Sequence, residues 1–234
     1  MGSYREVYEG WKADPQGFWM EAARAVDWIE PPTKALDADH APFYRWYPDA
    51  VCNTCFNALD RHLEARGDQP AVIHDSPITG TKTTLTYSQM HERVARLAGA
   101  LQRAGVAKGD RVIVYMPMIP EALMAMLACA RLGAIHSVVF GGFAAHELAV
   151  RIDDAKPKAI IAASCGLEPG RVVKYKPLID DAIAQSAHKP DLCVIFQRPE
   201  EEAELMEGRD HDWHAFQAGA EPADCVPVAA TDPL

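Results

Sequence analysis

Between Val112 and Phe196 the chain repeats one unit: a strand-length apolar run, a turn, then a segment of helical length. The runs Val112–Met116, Ile135–Phe140, Ala159–Ala163 and Leu192–Phe196 are near-continuous rather than alternating. A strand covered by helices on both faces has no polar side, so these runs predict a mostly parallel, doubly wound α/β sheet flanked by helices. The helices expected between them are Pro120–Leu132, Ala144–Ala155 and Lys176–Ser186.

Upstream, a helix is expected from Asn53 through Leu59 and Leu63 to Gly67, then strands Ala71–His74 and Thr83–Tyr87 around a turn at Ser76–Lys82. Thr86 and Gln89 have capping-box spacing. Met90, Val94, Leu97, Ala98 and Leu101 then mark one apolar helical face, which Gly105 ends. The first sixty residues differ, with Trp11, Trp19, Trp28 and Trp46 among several prolines. Asp14-Pro15 suits a helix start, with Asp as N-cap and Pro at the first helical position, whereas Pro31–Asp49 shows no period. Residues 1–60 are therefore expected to be an aromatic-rich extension wrapped over a main domain, residues 61–234. Gln197–Ala230 reads as acidic and loop-rich, with one short helix near Trp213.

A net charge of -10 disfavours nucleic acid and anionic membrane as partners. The longest apolar stretch, Ala122–Ala130, is too short to span a bilayer, and the N-terminus has no apolar signal region, so the expected location is cytoplasmic. The six cysteines are sparse, and they read as reduced and mostly structural. Cys52-Asn53-Thr54-Cys55 has zinc or redox spacing, but no second Cys or His pair follows at ligand distance.

In an open α/β sheet, ligands settle at the carboxyl ends of the strands. Two such loops carry chemistry. Phe140-Gly141-Gly142-Phe143 puts two glycines where a strand turns into a helix, which permits positive φ and close backbone approach to a ligand; the same pair would also serve a purely geometric turn. Ser164–Arg171 leaves its strand with an arginine, and Lys174 and Lys176 follow. Cations at this edge suit a phosphate, while a solvated turn explains them equally. Neither a GxxxxGK[ST] loop nor a GxGxxG after a strand occurs, and His136 reads as a hydrogen-bonded core residue and His91 as an exposed helical one. Asp153 and Asp154, adjacent on a helix, point apart and make no acid/base dyad.

The string Tyr115-Met116-Pro117-Met118-Ile119-Pro120-Glu121, with Leu127 to Phe143 after it, resembles AMP-forming short-chain acyl-CoA synthetases of the adenylate-forming superfamily. Phe18-Trp19 and Phe43-Tyr44-Arg45-Trp46 are similar to that family's N-terminal extension, and Arg151–Pro157 and Cys165–Pro177 are closer to propionyl-CoA than to acetyl-CoA synthetases. The resemblance implies an acid-thiol ligase that joins propionate or acetate to CoA through an acyl-adenylate, with ATP and Mg2+. It also implies a CoA-binding edge at Gly142, Glu168, Pro169, Gly170 and Arg171. Glu168 stands where the acetyl-CoA synthetase pattern has an arginine, so the grip on the 3'-phosphate is expected to rest on Arg171 or to be weaker. By the same resemblance the phosphate loop, the acyl pocket and the adenylating lysine would lie beyond Leu234, making this an incomplete N-terminal part with no catalytic residue of its own. The alternatives are a non-catalytic CoA-binding or interaction module and, further off, a nucleotide-dependent dehydrogenase domain.

Overall fold

The computed structural model describes residues 2–142 and 144–234. Met1 and Phe143, the last residue of the glycine motif, lie outside the described residues.

Helix α1 (Tyr4–Ala13) opens on a capping box between Ser3 and Glu6. Helix α2 (Pro15–Ala22) opens as its sequence suggests, Asp14 Oδ1 accepting from the Gly17 N–H at 2.9 Å. The unperiodic stretch after it holds only two short paired strands, β1 (Leu36–Asp37) and β2 (Arg45–Trp46), before β3 (Val51–Cys52). Its aromatics pack mainly on one another: Trp19 lies 5.3 Å from Trp46 and Trp28 lies 5.4 Å from Tyr47, centroid to centroid. Phe43, Tyr44 and Trp46 stay exposed rather than buried against a larger body. Polar contacts order it instead: Asp27 exchanges backbone hydrogen bonds with the Asn57 amide inside the extension, and Arg61 ties it to the main domain by donating to the Ala25 carbonyl.

The single helix expected from Asn53 to Gly67 is broken. It becomes α3 (Thr54–Ala58), a 3-10 turn at Asp60–His62 and α4 (Leu63–Arg66). Leu59 leaves helical geometry at φ -125 and ψ -64, and the side chain of Asp60 then reaches the buried Arg131. Strands β4 (Pro70–Ser76) and β5 (Thr81–Thr86) form an antiparallel hairpin that leads into α5 (Tyr87–Arg103). Both bonds of the Thr86/Gln89 capping box form. The fully buried Val94, Leu97 and Leu101 of α5 each contribute roughly 1.5–3 kcal/mol of transfer free energy.

The doubly wound layer follows: β6 (Arg111–Met116), α6 (Pro120–Leu132), β7 (Ile135–Phe140), α7 (Ala145–Ala155), β8 (Ala159–Ala163). Next come β9 (Cys165–Glu168) and β10 (Arg171–Lys174), then α8 (Tyr175–Gln185), β11 (Leu192–Phe196), β12 (Asp210–Asp212), α9 (Trp213–Gln217) and β13 (Val228–Ala229). Five strands form one parallel sheet in the order β12-β11-β8-β6-β7. From β6 the chain moves outward to β7, then crosses back to β8 on the other side of β6. The order of strand addition reverses between β6 and β8, and a crevice opens outside their carboxyl ends at such a point. Among the described residues no helix is long and apolar enough to cross a membrane.

After α9 the chain lies across the back of the helical layer as a strap. Ala223 N–H donates to Ala95 O at 2.9 Å, Val226 N–H donates to Arg131 O at 2.8 Å, and β13 pairs with β3. Asn53 gathers these parts, its Nδ2 donating to the carbonyls of Ala130, Arg131 and Val226.

Candidate functional site

At the reversal point two tyrosines join loops that are separate in sequence. Tyr115, fully buried near the end of β6, accepts a hydrogen bond from the Gly142 N–H at 3.1 Å. Tyr175, the first residue of α8, packs its ring 5.0 Å from that of Tyr115. Its own N–H donates to Ser164 O at 2.9 Å, which aligns α8 on the end of β8. Burial first, with the Tyr115 phenol second, pushes the Tyr175 hydroxyl up to about 12, so it stays neutral near pH 7.

The Tyr175 ring explains two glycines. A Cβ on Gly141 would lie 2.6 Å from Tyr175 Cε2, and one on Gly166 would lie 2.5 Å from Tyr175 Cζ. Gly142 differs: its φ of +110 disfavours any L side chain, yet open space surrounds its Cβ position. The Gly142 N–H is engaged by Tyr115, so what this residue offers a ligand is close approach to the main chain, not a free donor.

The segment read as a loop after β8 is instead a β-hairpin. β9 and β10 pair with Glu168 opposite Arg171, and Gly170 takes φ +75 in the turn. That register sets the two side chains together: Arg171 Nη2 lies 2.8 Å and Nε 3.1 Å from Glu168 Oε2. Glu168, Gly170 and Arg171 line a cleft of about 420 Å³ against Thr79 and Thr81 of the β4–β5 turn. The expected CoA edge therefore divides in two. Gly142 sits at the base of the reversal point, and the hairpin tip, with Pro169 at its turn, stands out from β8; Tyr175 connects them by touching Gly141 and Gly166.

The basic cluster of the sequence disperses. Lys174 pairs with Glu201 at 2.6 Å, and Lys176 is buried against Asp210 at 2.9 Å. Arg171 is the cation at the cleft, already paired with an exposed carboxylate; such a pair is worth at most about 1 kcal/mol and yields to a stronger anion. A larger groove of about 690 Å³ lies beside it, lined by Lys174, Asp180, Asp181, Glu201 and Glu202 among others.

Two histidines differ from expectation. His136 Nδ1 is buried without a hydrogen-bond partner among the described residues, and burial lowers the pKa of its ring. His91 is half-buried, with Nε2 3.2 Å from Asp60 Oδ1 and 3.3 Å from Arg131 Nη2. Asp153 serves structure, its Oδ1 accepting from the His188 N–H. No local signal in the sequence pairs Tyr115 with Tyr175, because the topology alone brings them together; the paired glycines signal that something presses on the turn, not what does.

The family described as AMP-binding enzyme matches residues 59–234, and the family described as acetyl-coenzyme A synthetase N-terminus matches residues 4–58. The acyl-CoA synthetase short-chain family member 3, mitochondrial, of Rattus norvegicus is 49% identical over 100% of this chain and 34% of its own length. The propionate–CoA ligase of Escherichia coli (strain K12) is 46% identical over 92% of this chain and 34% of its own. Among solved structures, the acetoacetyl-CoA synthetase from Streptomyces lividans superposes with a TM-score of 0.85 over 98% of this chain and 35% of that one; at 24% identity the likeness speaks for the fold. The chain thus spans about a third of the length of the curated relatives it matches.

Proposed function

Because the chain belongs to the AMP-binding enzymes, as a member of the AMP-forming acyl-CoA synthetases, we propose that it is part of a ligase that joins propionate or acetate to CoA. The reaction activates the carboxylate with ATP as an acyl-adenylate, releasing pyrophosphate, and the CoA thiol then takes the acyl group and releases AMP. The step through the adenylate is chemically sensible because a mixed anhydride carries a far better leaving group than a carboxylate.

What supports a CoA-binding role for these residues is the reversal point. There a positive-φ glycine turn with open space above it and an arginine-tipped hairpin are held in fixed relation by Tyr115 and Tyr175. We assign Gly142 close backbone approach to the coenzyme, Pro169 and Gly170 the shape of the hairpin tip, and Arg171 the phosphate contact. Glu168 weakens that contact by competing for the guanidinium. Among the described residues no cage of oxygen ligands suits Mg2+: the one group of three metal-capable side chains, Cys55, Asp60 and Cys225, is soft and already clasped by Arg131. No step is therefore assigned to the metal here.

These 234 residues contain no glycine-rich phosphate loop, and we infer that they do not adenylate propionate unaided. Pyrophosphate release from the purified chain with propionate, ATP and Mg2+ would contradict this. Calorimetric titration of CoA into the parent chain and Arg171→Ala tests the site: weaker binding by the variant is expected, and equal affinity removes Arg171 from the assignment. A non-catalytic CoA-binding module remains the second reading, favoured by the same cleft. Genomic sequence after codon 234 separates the two, since an in-frame phosphate loop supports the ligase and a stop codon the module.

A further inference from the structure

Cys52-Asn53-Thr54-Cys55 has the spacing of a local thiol pair, yet the fold gives Cys55 another partner. The first turn of α3 buries Cys55 completely, and the strap brings Cys225 to it from the far end of the chain. The two sulfurs and a carboxylate oxygen of Asp60 all lie within 4.8 Å of one another. Arg131 donates to Asp60 through both Nη1 and Nη2, at 2.8 and 2.9 Å, and approaches Cys55 Sγ at 3.6 Å. The Cys225 thiol faces Asp60 Oδ2 at 3.8 Å.

From this juxtaposition we propose that Cys55 and Cys225 are an oxidant-responsive dithiol that closes to a disulfide when hydrogen peroxide reaches it. The neighbours divide the two roles. A hydrogen bond from Cys225, helped by Arg131 and opposed by burial, favours the thiolate of Cys55, while the same bond and burial keep Cys225 protonated. The Cys55 thiolate attacks one peroxide oxygen, the O–O bond breaks, and the departing hydroxide takes up a proton to leave as water. Cys55 is then a sulfenic acid. The Cys225 sulfur attacks it, the S–S bond forms, the S–O bond breaks, and the second oxygen leaves as water with the Cys225 proton. Two electrons and two protons from the thiols thus reduce one peroxide to two waters. With the sulfurs at most 4.8 Å apart, less than about 3 Å remains to a bond of about 2.05 Å. A divalent cation is disfavoured at this place, because a guanidinium that cannot lose its proton already clasps Asp60 and touches Cys55.

Cys52 stands outside this group, half-buried on β3, with burial pushing its thiol up. The bulk of the chain separates the joined cysteines, so the disulfide would fasten the end of the N-terminal extension to the strap across α6.

The test exposes the purified chain to sub-millimolar hydrogen peroxide, quenches, counts thiols under denaturing conditions and maps peptides by mass spectrometry. The expected result is loss of two of the six thiols, an intact mass lower by two hydrogens, and the peptides holding Cys55 and Cys225 joined. Cys52→Ala should behave like the parent, and Cys225→Ser should form no crosslink and carry the oxygen on Cys55. The map of the parent chain requires no variant to fold, so the proposal stands or falls on it. Peptides linked through Cys52 or between chains, oxidation of another cysteine before this pair, or one-to-one zinc uptake that protects both thiols would overturn it.

Discussion

Placing a methyl group at Gly166 tests the tyrosine strut most directly. In Gly166→Ala the new Cβ would overlap the Tyr175 hydroxyl and sit 2.5 Å from Cζ and 2.8 Å from Cε1, where ordinary contacts need well over 3 Å. The ring has little room to retreat: Tyr175 is 3% exposed, it packs 5.0 Å from the Tyr115 ring, and Gly141 touches it as well. Overpacking of this kind costs about 1–3 kcal/mol, which for a chain of this size lowers the thermal midpoint by roughly 2–12 °C. Tyr175→Leu removes the obstructing ring atoms and itself destabilises by leaving a void. In that background the extra methyl should cost little, so urea unfolding of the parent, both single variants and the double variant should give a coupling of about 1 kcal/mol or more. If Gly166→Ala costs the same in both backgrounds, Tyr175 is not what requires the glycine and the strut is refuted.

Other perturbations probe the frame around it. Arg131→Met takes the guanidinium from Asp60 in a site where the arginine side chain is 4% exposed, leaving His91 as its remaining partner; a loss of about 3–5 kcal/mol is expected by calorimetry, with Arg131→Lys milder. Gly99→Ala should destabilise despite the better helix propensity of alanine, because its Cβ would strike the Glu221 carbonyl and lie 3.0 Å from the carbonyl carbon; a stabilised variant would show that the strap yields freely. Burial alone would raise the Asp210 carboxyl, but hydrogen bonds from Arg209 and Lys176 hold it below its ordinary value. A depressed folded pKa gives stability above the unfolded value of about 4 that is lost as pH falls. The gap in unfolding midpoint between parent and Asp210→Asn should therefore stay level from about pH 5 to 7 and shrink below about 4; a gap that persists in acid contradicts the assignment.

The sheet's central elements were legible because local rules agreed there. Pro120 opens α6 and Gly133, at φ +67, closes it, and the runs at β6, β8 and β11 were apolar on both faces as buried parallel strands demand. β12 escaped notice because Asp210-His211-Asp212 has no apolar signal; it joins by backbone pairing to β11 and turns Asp210 inward to Lys176 and Arg209. The hairpin of β9 and β10 is too short for an alternation to show, and its register, which neutralises Arg171, follows from a turn at Pro169-Gly170. Within the site, the glycine turn and the arginine were visible as residue types. Their connection was not, because Tyr115, Gly142, Gly166 and Tyr175 meet only through strand order, as Cys55 and Cys225 meet only through the path of the strap.

The pairing of Val51–Cys52 with Val228–Ala229 makes one short strand depend on another far along the sequence. On the ribosome Val51–Cys52 emerges well before its partner strand and waits for it, on the order of ten seconds or more at ordinary elongation rates. Throughout that interval Val51 and Cys52 lack this strand partner and leave backbone groups open to other chains, so the yield of soluble protein should respond to the speed of translation.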